Sequence, residues 1–153
     1  MKIVDGAGYL QEVRNMIIAY TKALGRDLSF QNLDDELRDI AAKYCAPEGE
    51  LVVAIDGNEV LGMVAYHRHS DARCEMKRMF VYPQYREKGI GAQLAGEIVQ
   101  RAKLAGYTEM VLDTLVPLKP AIALYKRMGF EECEAYYHNP LPDVIYMRKS
   151  MIE

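Results

Sequence analysis

The sequence is short of the features that mark several large protein classes. It has three cysteines in 153 residues, Cys45, Cys74 and Cys133. Odd in number and widely spaced, they form neither a disulfide framework nor a zinc pattern, and read as reduced core residues of a cytoplasmic protein. No apolar run approaches the roughly 20 residues that cross a bilayer. The opening MKIVDGAGYLQEV lacks the basic and apolar regions of a signal peptide. Positive charge is in deficit: 19 Lys and Arg against 22 Asp and Glu leave a net charge of −3, which argues against nucleic-acid binding through phosphate contacts. Repeats, low-complexity tracts and linkers are missing as well, so residues 1–153 read as a single domain.

What is present is periodicity. Leu10, Val13, Ile17, Tyr20 and Leu24 recur at spacings of three and four, one face of a helix closed by Gly25. Leu33, Leu37, Ile40 and Tyr44 predict a second helix with Asn32 or Asp34 as its cap. The period then changes. LVVAI (51–55) and VLGMVAY (60–66) read as strands joined through Asp56-Gly57-Asn58. The next strand, Cys74 to Tyr82, carries Glu75, Lys77 and Arg78 where a central strand should be apolar. Strict alternation puts Glu75, Lys77, Met79 and Val81 on one face and Cys74, Met76, Arg78, Phe80 and Tyr82 on the other. A helix striped by Ile90, Leu94, Ile98, Ala102 and Ala105 follows, then a strand at Met110–Thr114 and a short helix from Pro120 to Gly129. Strands around Phe130–Tyr137 and Val144–Arg148 close the chain. The order βααβββαβαββ is that of an α/β domain with a mixed sheet.

The loop Arg86-Glu87-Lys88-Gly89-Ile90-Gly91 stands where a helix begins. A helix start presents unpaired N–H groups and the positive end of the helix dipole, and glycine there lets an anion approach the backbone. The segment reads either as a pyrophosphate cradle or as a tight turn with solvated cations. A Walker loop is excluded because Ala92 and Gln93 follow Gly91. A Rossmann fingerprint has Asp113 at the end of the next strand in its favour, but Pro83 to Lys88 separate its glycines from the preceding strand.

Charged strand, Arg-x-x-Gly-x-Gly, amphipathic helix, strand and then AIALYKRMGF (121–130) together resemble the GNAT superfamily of acyl-CoA-dependent N-acetyltransferases, over about residues 50 to 150. The resemblance implies a mixed, mostly antiparallel central sheet flanked by helices. It also implies acetyl-CoA as co-substrate, with pantetheine on Met79, Phe80 and Val81 and pyrophosphate on Arg86, Glu87, Lys88, Gly89, Ile90, Gly91 and Ala92. The acceptor amine would attack the thioester directly, and Tyr125 matches the tyrosine that protonates the departing thiolate. Glu75, eleven residues before Arg86, matches a glutamate that acts as general base through water. Its alternative role is an ion pair with Lys77 or Arg78. Leu118 departs from the family pattern, where asparagine is common. No acyl-enzyme nucleophile is suggested, since Cys74 faces away from Glu75.

His67 and His69 share a strand face, but with no third ligand at suitable spacing they read as members of a solvated loop, and no metal is expected. YYHNPLPD (136–143) reads either as a border of the acceptor pocket or as a rigid loop. The expectation is an N-acetyltransferase acting on a primary amine, in a small molecule or a protein, with neither nucleic acid nor membrane as partner. The acidic balance favours a cationic acceptor. A catalytically weakened acyl-CoA sensor is the alternative, and a homodimer is left open.

Overall fold

Helix α1 spans Leu10–Leu24 and stops where Gly25 takes a left-handed φ of 63° and donates its N–H to the Thr21 and Lys22 carbonyls. A computed structural model describes residues 1–152 of the chain. The expected second helix is two: α2 (Leu33–Arg38) and α3 (Ile40–Tyr44). The break is at Asp39, which leaves helical geometry at φ −149° and ψ 79° so that its carboxylate can accept from Ala42 N–H at 3.2 Å. A residue that caps from within an apolar repeat splits the helix without disturbing its buried stripe. Asn32 precedes α2 but makes no side-chain cap.

Seven strands form one sheet in the order β1-β2-β3-β4-β5-β7-β6. They are β1 (Lys2–Asp5), β2 (Gly49–Asp56), β3 (Glu59–Arg68), β4 (Arg73–Val81), β5 (Glu109–Leu115), β6 (Glu131–Cys133) and β7 (Val144–Ser150). Only β4 and β5 run parallel, joined by the crossover helix α4 (Ile90–Leu104). A short α5 (Lys119–Arg127) leads from β5 to β6. The expected mixed, mostly antiparallel sheet flanked by helices is present, and a Rossmann fold, which needs a parallel sheet, is ruled out. β6 is shorter than expected, so Tyr136 and Tyr137 belong to the loop before β7.

Alternation along the strands fills two cores. Val52, Ala54, Val64, Tyr66, Cys74 and Met76 pack on α4 through Leu94 and Ile98. Leu51, Val53, Met63 and Ala65 pack on α1 and α3 through Val13, Met16, Ile17 and Tyr44. β4 breaks this rule midway. Ala65 pairs with Lys77 and Met63 with Phe80, so two residues of β4, Arg78 and Met79, oppose Val64 alone. Arg78 sits in this bulge at φ 60°. The bulge shifts the side-chain phase: Met79 and Val81 join the α4 core, while Phe80 and Tyr82 join the α1 core. Strict alternation is therefore corrected at Arg78. Glu75, Lys77 and Arg78 all serve the α1–α2 face, as their partners on that side record. Beside the bulge, β3 runs so close to β4 that a Cβ on Gly62 would stand 2.6 Å from the Phe80 carbonyl oxygen.

Candidate active site

The parallel pairing of β4 with β5 covers only Arg73 to Glu75 against Glu109 to Val111. Beyond it β5 pairs with β7 alone, and β4 continues to Val81 with no strand on that side. Met79, Phe80 and Val81 thus border a wedge whose backbone groups lack a strand partner. The chain then passes a Pro83–Tyr85 turn and reaches α4, whose first residue follows Gly89 at φ 76°. The first amide of α4 to find a helical acceptor is Gln93, on the Gly89 carbonyl at 3.2 Å. Gly89 offers no side-chain cap to the earlier amides of Ile90, Gly91 and Ala92. A Cβ on Gly91 would meet nothing within 4 Å, so the protein's own packing does not require that glycine. Glu87 and Lys88 are exposed. Arg86 turns back instead, donating Nε–H to the Val81 carbonyl at 2.8 Å and resting over the Phe80 ring.

The three charges of β4 find different company. Glu75, 4% exposed, accepts from His67 Nε2 at 2.7 Å and His69 Nε2 at 3.1 Å on one oxygen, and from the Tyr136 hydroxyl on the other. Burial alone would raise its pKa. The two imidazole hydrogen bonds, the Lys77 charge and Tyr136 outweigh burial and hold the carboxyl well below the usual carboxylate range. Burial pushes His67 down from its ordinary value, so it is neutral and donates Nε2–H to the carboxylate. The expected pairing of Glu75 with Lys77 or Arg78 is not formed, and of the two histidines expected in a solvated loop only His69 is exposed there, while His67 is half-buried. His67 lies in β3, His69 directly follows it, and both are drawn in by Glu75. The donor atoms of the three residues lie within 4.8 Å of one another, a donor set also suited to a cation.

Arg78 pairs with Glu36 of α2 through two hydrogen bonds of 2.9 and 3.0 Å and stacks over Tyr20. Glu36 also accepts from Tyr44 at 2.9 Å and Lys43 at 3.1 Å. Lys77 is left over. It is 8% exposed, and its Nζ reaches Gln31 Oε1 at 3.4 Å without forming an ion pair among the described residues.

Tyr125 comes to the wedge from α5. Its ring packs edge-on to Phe130, and its hydroxyl makes no hydrogen bond among the described residues. Burial raises its pKa well above the ordinary tyrosine value. A cavity lies between Tyr125, Lys77, Arg78, Met79, Asp113 and Leu118. Leu118 at the start of α5 gives it an apolar wall where an asparagine would give a polar one. The 136–143 segment folds over the same face. Tyr137 donates to Asp113, Asn139 Nδ2 reaches that carboxylate at 3.1 Å, and Arg26 past the end of α1 pairs with Asp143 at 2.7 Å. Asp113 is thus tied into this loop instead of standing free beside the glycines. Cys74 is fully buried, its thiol pushed up to about 12 by burial, and offers no nucleophile. Cys45 and Cys133 are half-buried, so of the three only Cys74 is a core residue.

Wedge, glycine-started helix and short tyrosine helix occur in the order of one known family, and residues 12–130 match the model of the acetyltransferase (GNAT) family. The chain belongs to that family. An uncharacterised N-acetyltransferase of Schizosaccharomyces pombe is 45% identical over 144 residues, 93% of this chain and 88% of the relative. The crystal structure of a GNAT-family acetyltransferase of Staphylococcus aureus covers 99% of each chain with a TM-score of 0.81 at 21% identity. A GNAT-family acetyltransferase of Elizabethkingia anophelis with acetyl-CoA bound covers 76% of this chain and 82% of its own, with a TM-score of 0.62 at 24% identity.

This GNAT chain is an acyltransferase. Of its expected site residues, the fold gathers Met79, Phe80, Val81 and Tyr125 at the wedge and Gly89 to Ala92 at the α4 start. Arg86 is committed to Val81, and Glu87 and Lys88 project from the loop. Glu75 lies at the closed end of the wedge, where β4 and β5 still pair. Sequence reasoning missed the His67–Glu75–His69 cluster and the Glu36–Arg78 pair. For the first a signal existed: His67 near the end of a strand and His69 just past it, followed after a turn by a carboxylate on the neighbouring strand.

Proposed function

We propose that the chain moves an acetyl group from acetyl-CoA to a primary amine by direct attack. The observation that carries this is the parting of β4 from β5 at Met79–Val81, on a path that continues to the Gly89 helix start. Unpaired backbone groups suit an extended amide-bearing pantetheine, and free helical amides suit its pyrophosphate. The acetyl-CoA held by the Elizabethkingia relative supports the donor.

In the reaction the neutral amine nitrogen bonds to the thioester carbon, the carbon–sulfur bond breaks, and a proton passes from the nitrogen. Backbone N–H groups near Phe80 and Val81 take the developing oxyanion. Tyr125, kept protonated by burial, gives its proton to the departing thiolate. Glu75 is a weak base, since three hydrogen-bond donors and the Lys77 charge stabilise its ionised form. In this proposal it positions the imidazoles, and the Nδ1 of neutral His67 accepts the amine proton through water.

The test is thiol release from acetyl-CoA across an amine library, with calorimetric binding of acetyl-CoA and NAD measured alongside. Amine-dependent release is the expected result. Acetyl-CoA binding with no turnover on any amine would leave a sensor, and failure to bind acetyl-CoA would overturn the proposal.

A further inference from the structure

Burying an ionised side chain without a partner costs several kcal/mol, so buried charges in folded proteins are paired or neutralised. Three buried charges stand on the α1–α2 face of β4, and two obey that rule. Glu75 is held by His67, His69 and Tyr136, and Arg78 by Glu36. Lys77, between them, has one long hydrogen bond to a neutral amide.

The anions nearby cannot serve it without being stripped of other donors. Glu75, two residues before it on the same face, attracts it through space, but its oxygens already accept from His67, His69 and Tyr136. Asp113, across the wedge, is occupied by Tyr137 and Asn139. Glu36 accepts from Arg78, Lys43 and Tyr44. Gln31 is held equally lightly at its other end, its Nε2 reaching the Tyr137 hydroxyl at 3.4 Å. Both of its contacts can be given up to an incoming group.

Lys77 also has the right place. It lines the cavity that contains Tyr125 and Met79. It lies two residues before Met79, at most roughly 7 Å away along the chain across the Arg78 bulge. A group bound at Lys77 would thus be one small molecule's length from the amide groups where the thioester is proposed to lie.

We infer that Lys77 binds a carboxylate of the acceptor, so that the preferred acceptors are amino acids or other amines carrying a nearby carboxylate. The inference rests on the acetyltransferase proposal above and names the acceptor class for that site. The carboxylate displaces Gln31 from Lys77 and leaves the amine pointing into the wedge. It reverses the expectation from net charge: the overall −3 favours cationic acceptors, whereas the cavity holds the one buried cation without an ion-pair partner among those on β4. Local charge at the contact outweighs distant surface charge, which salt screens within about 10 Å.

The experiment compares free amino acids with their amides, methyl esters and decarboxylated amines, using wild type, Lys77→Met and Lys77→Arg, with acetyl-CoA affinity measured separately. Hydrogen bonds to charged groups are worth enough to move kcat/KM by roughly 10²-fold when one partner is removed. The expected result is a preference of about that size for the free carboxylates in wild type, its loss in Lys77→Met, and its partial return in Lys77→Arg. If Lys77→Met fails to fold, the wild-type comparison of acids with their amides and esters decides alone. Uncharged or cationic amines acetylated as well as the acids would overturn the inference while leaving acetyl transfer intact. Absence of acetyl-CoA binding would instead remove the reaction on which it rests.

Discussion

Replacing Glu36 by Gln keeps the shape of the side chain and removes the charge that faces Arg78. Both groups are buried, at 3% and 4% exposure, so solvent cannot take over. Removing one member of a buried ion pair typically costs about 3–5 kcal/mol, because the other charge stays behind. The titration of Glu36 gives an independent figure. Burial raises its pKa, but the Arg78 hydrogen bonds and charge, with Lys43 and Tyr44, outweigh burial and bring it from 4.5 to about 2. At 1.36 kcal/mol per unit, that fall corresponds to about 3 kcal/mol. The folded pKa lies below the unfolded one, so this stabilisation is complete above pH 4.5 and is lost as pH falls toward 2. At neutral pH the Glu36→Gln variant should therefore melt about 10 °C lower, given roughly 2–4 °C per kcal/mol for a chain of this size. The two proteins should converge as pH approaches the folded pKa. Urea unfolding as a function of pH measures both effects. A neutral-pH shift under about 2 °C would refute the reasoning, as would identical acid sensitivity in wild type and variant. The double variant Glu36→Leu/Arg78→Met, which removes both charges, should recover most of the loss.

Tyr125→Phe deletes a hydroxyl that supports no hydrogen bond of the fold. It should melt normally, bind acetyl-CoA normally and turn over about 10²-fold more slowly; full activity on a verified acceptor would remove its role as acid. Because burial raises the Tyr125 pKa, the wild-type rate should show no alkaline limb near the ordinary tyrosine value, and such a limb in a pH–rate profile would contradict the placement of the ring. Gly91→Val adds a side chain where the protein has open space, so thermal stability without ligand should fall only slightly while acetyl-CoA affinity drops about tenfold or more; unchanged affinity by calorimetry would move the pyrophosphate elsewhere. If His67 takes the amine proton, kcat/KM should fall on an acidic limb below the ordinary histidine range, since burial lowers its pKa. His67→Asn should lose that limb, and a variant that keeps both rate and limb would return the role to Glu75 or to bulk water.

Much of this architecture is local and could be read directly. Gly25, Gly57 and Gly129 adopt the left-handed backbone that their positions at element ends require. The predicted stripe is buried from Ile90 to Ala102, because a single apolar face is enough to dock a helix on a sheet, whereas its last member, Ala105, caps the helix end and is exposed. Strand alternation failed at one residue, Arg78, and that residue is at the site. A bulge is a property of two strands in register, and a one-residue shift in β4 depends on how close Gly62 lets β3 approach.

The sequence by itself determined the family, the order of elements, the glycine-started helix and the presence of three charges on a strand that should be apolar. Only tertiary structure decided what those charges do. Glu36 lies 42 residues from Arg78, and Tyr136 lies 61 residues from Glu75; no local pattern links such pairs. Which partner a buried charge takes is settled by the few side chains that packing brings within hydrogen-bond reach. Around Lys77 packing brought a single neutral amide, and an ion pair left incomplete in this way becomes visible only once every neighbour has been placed.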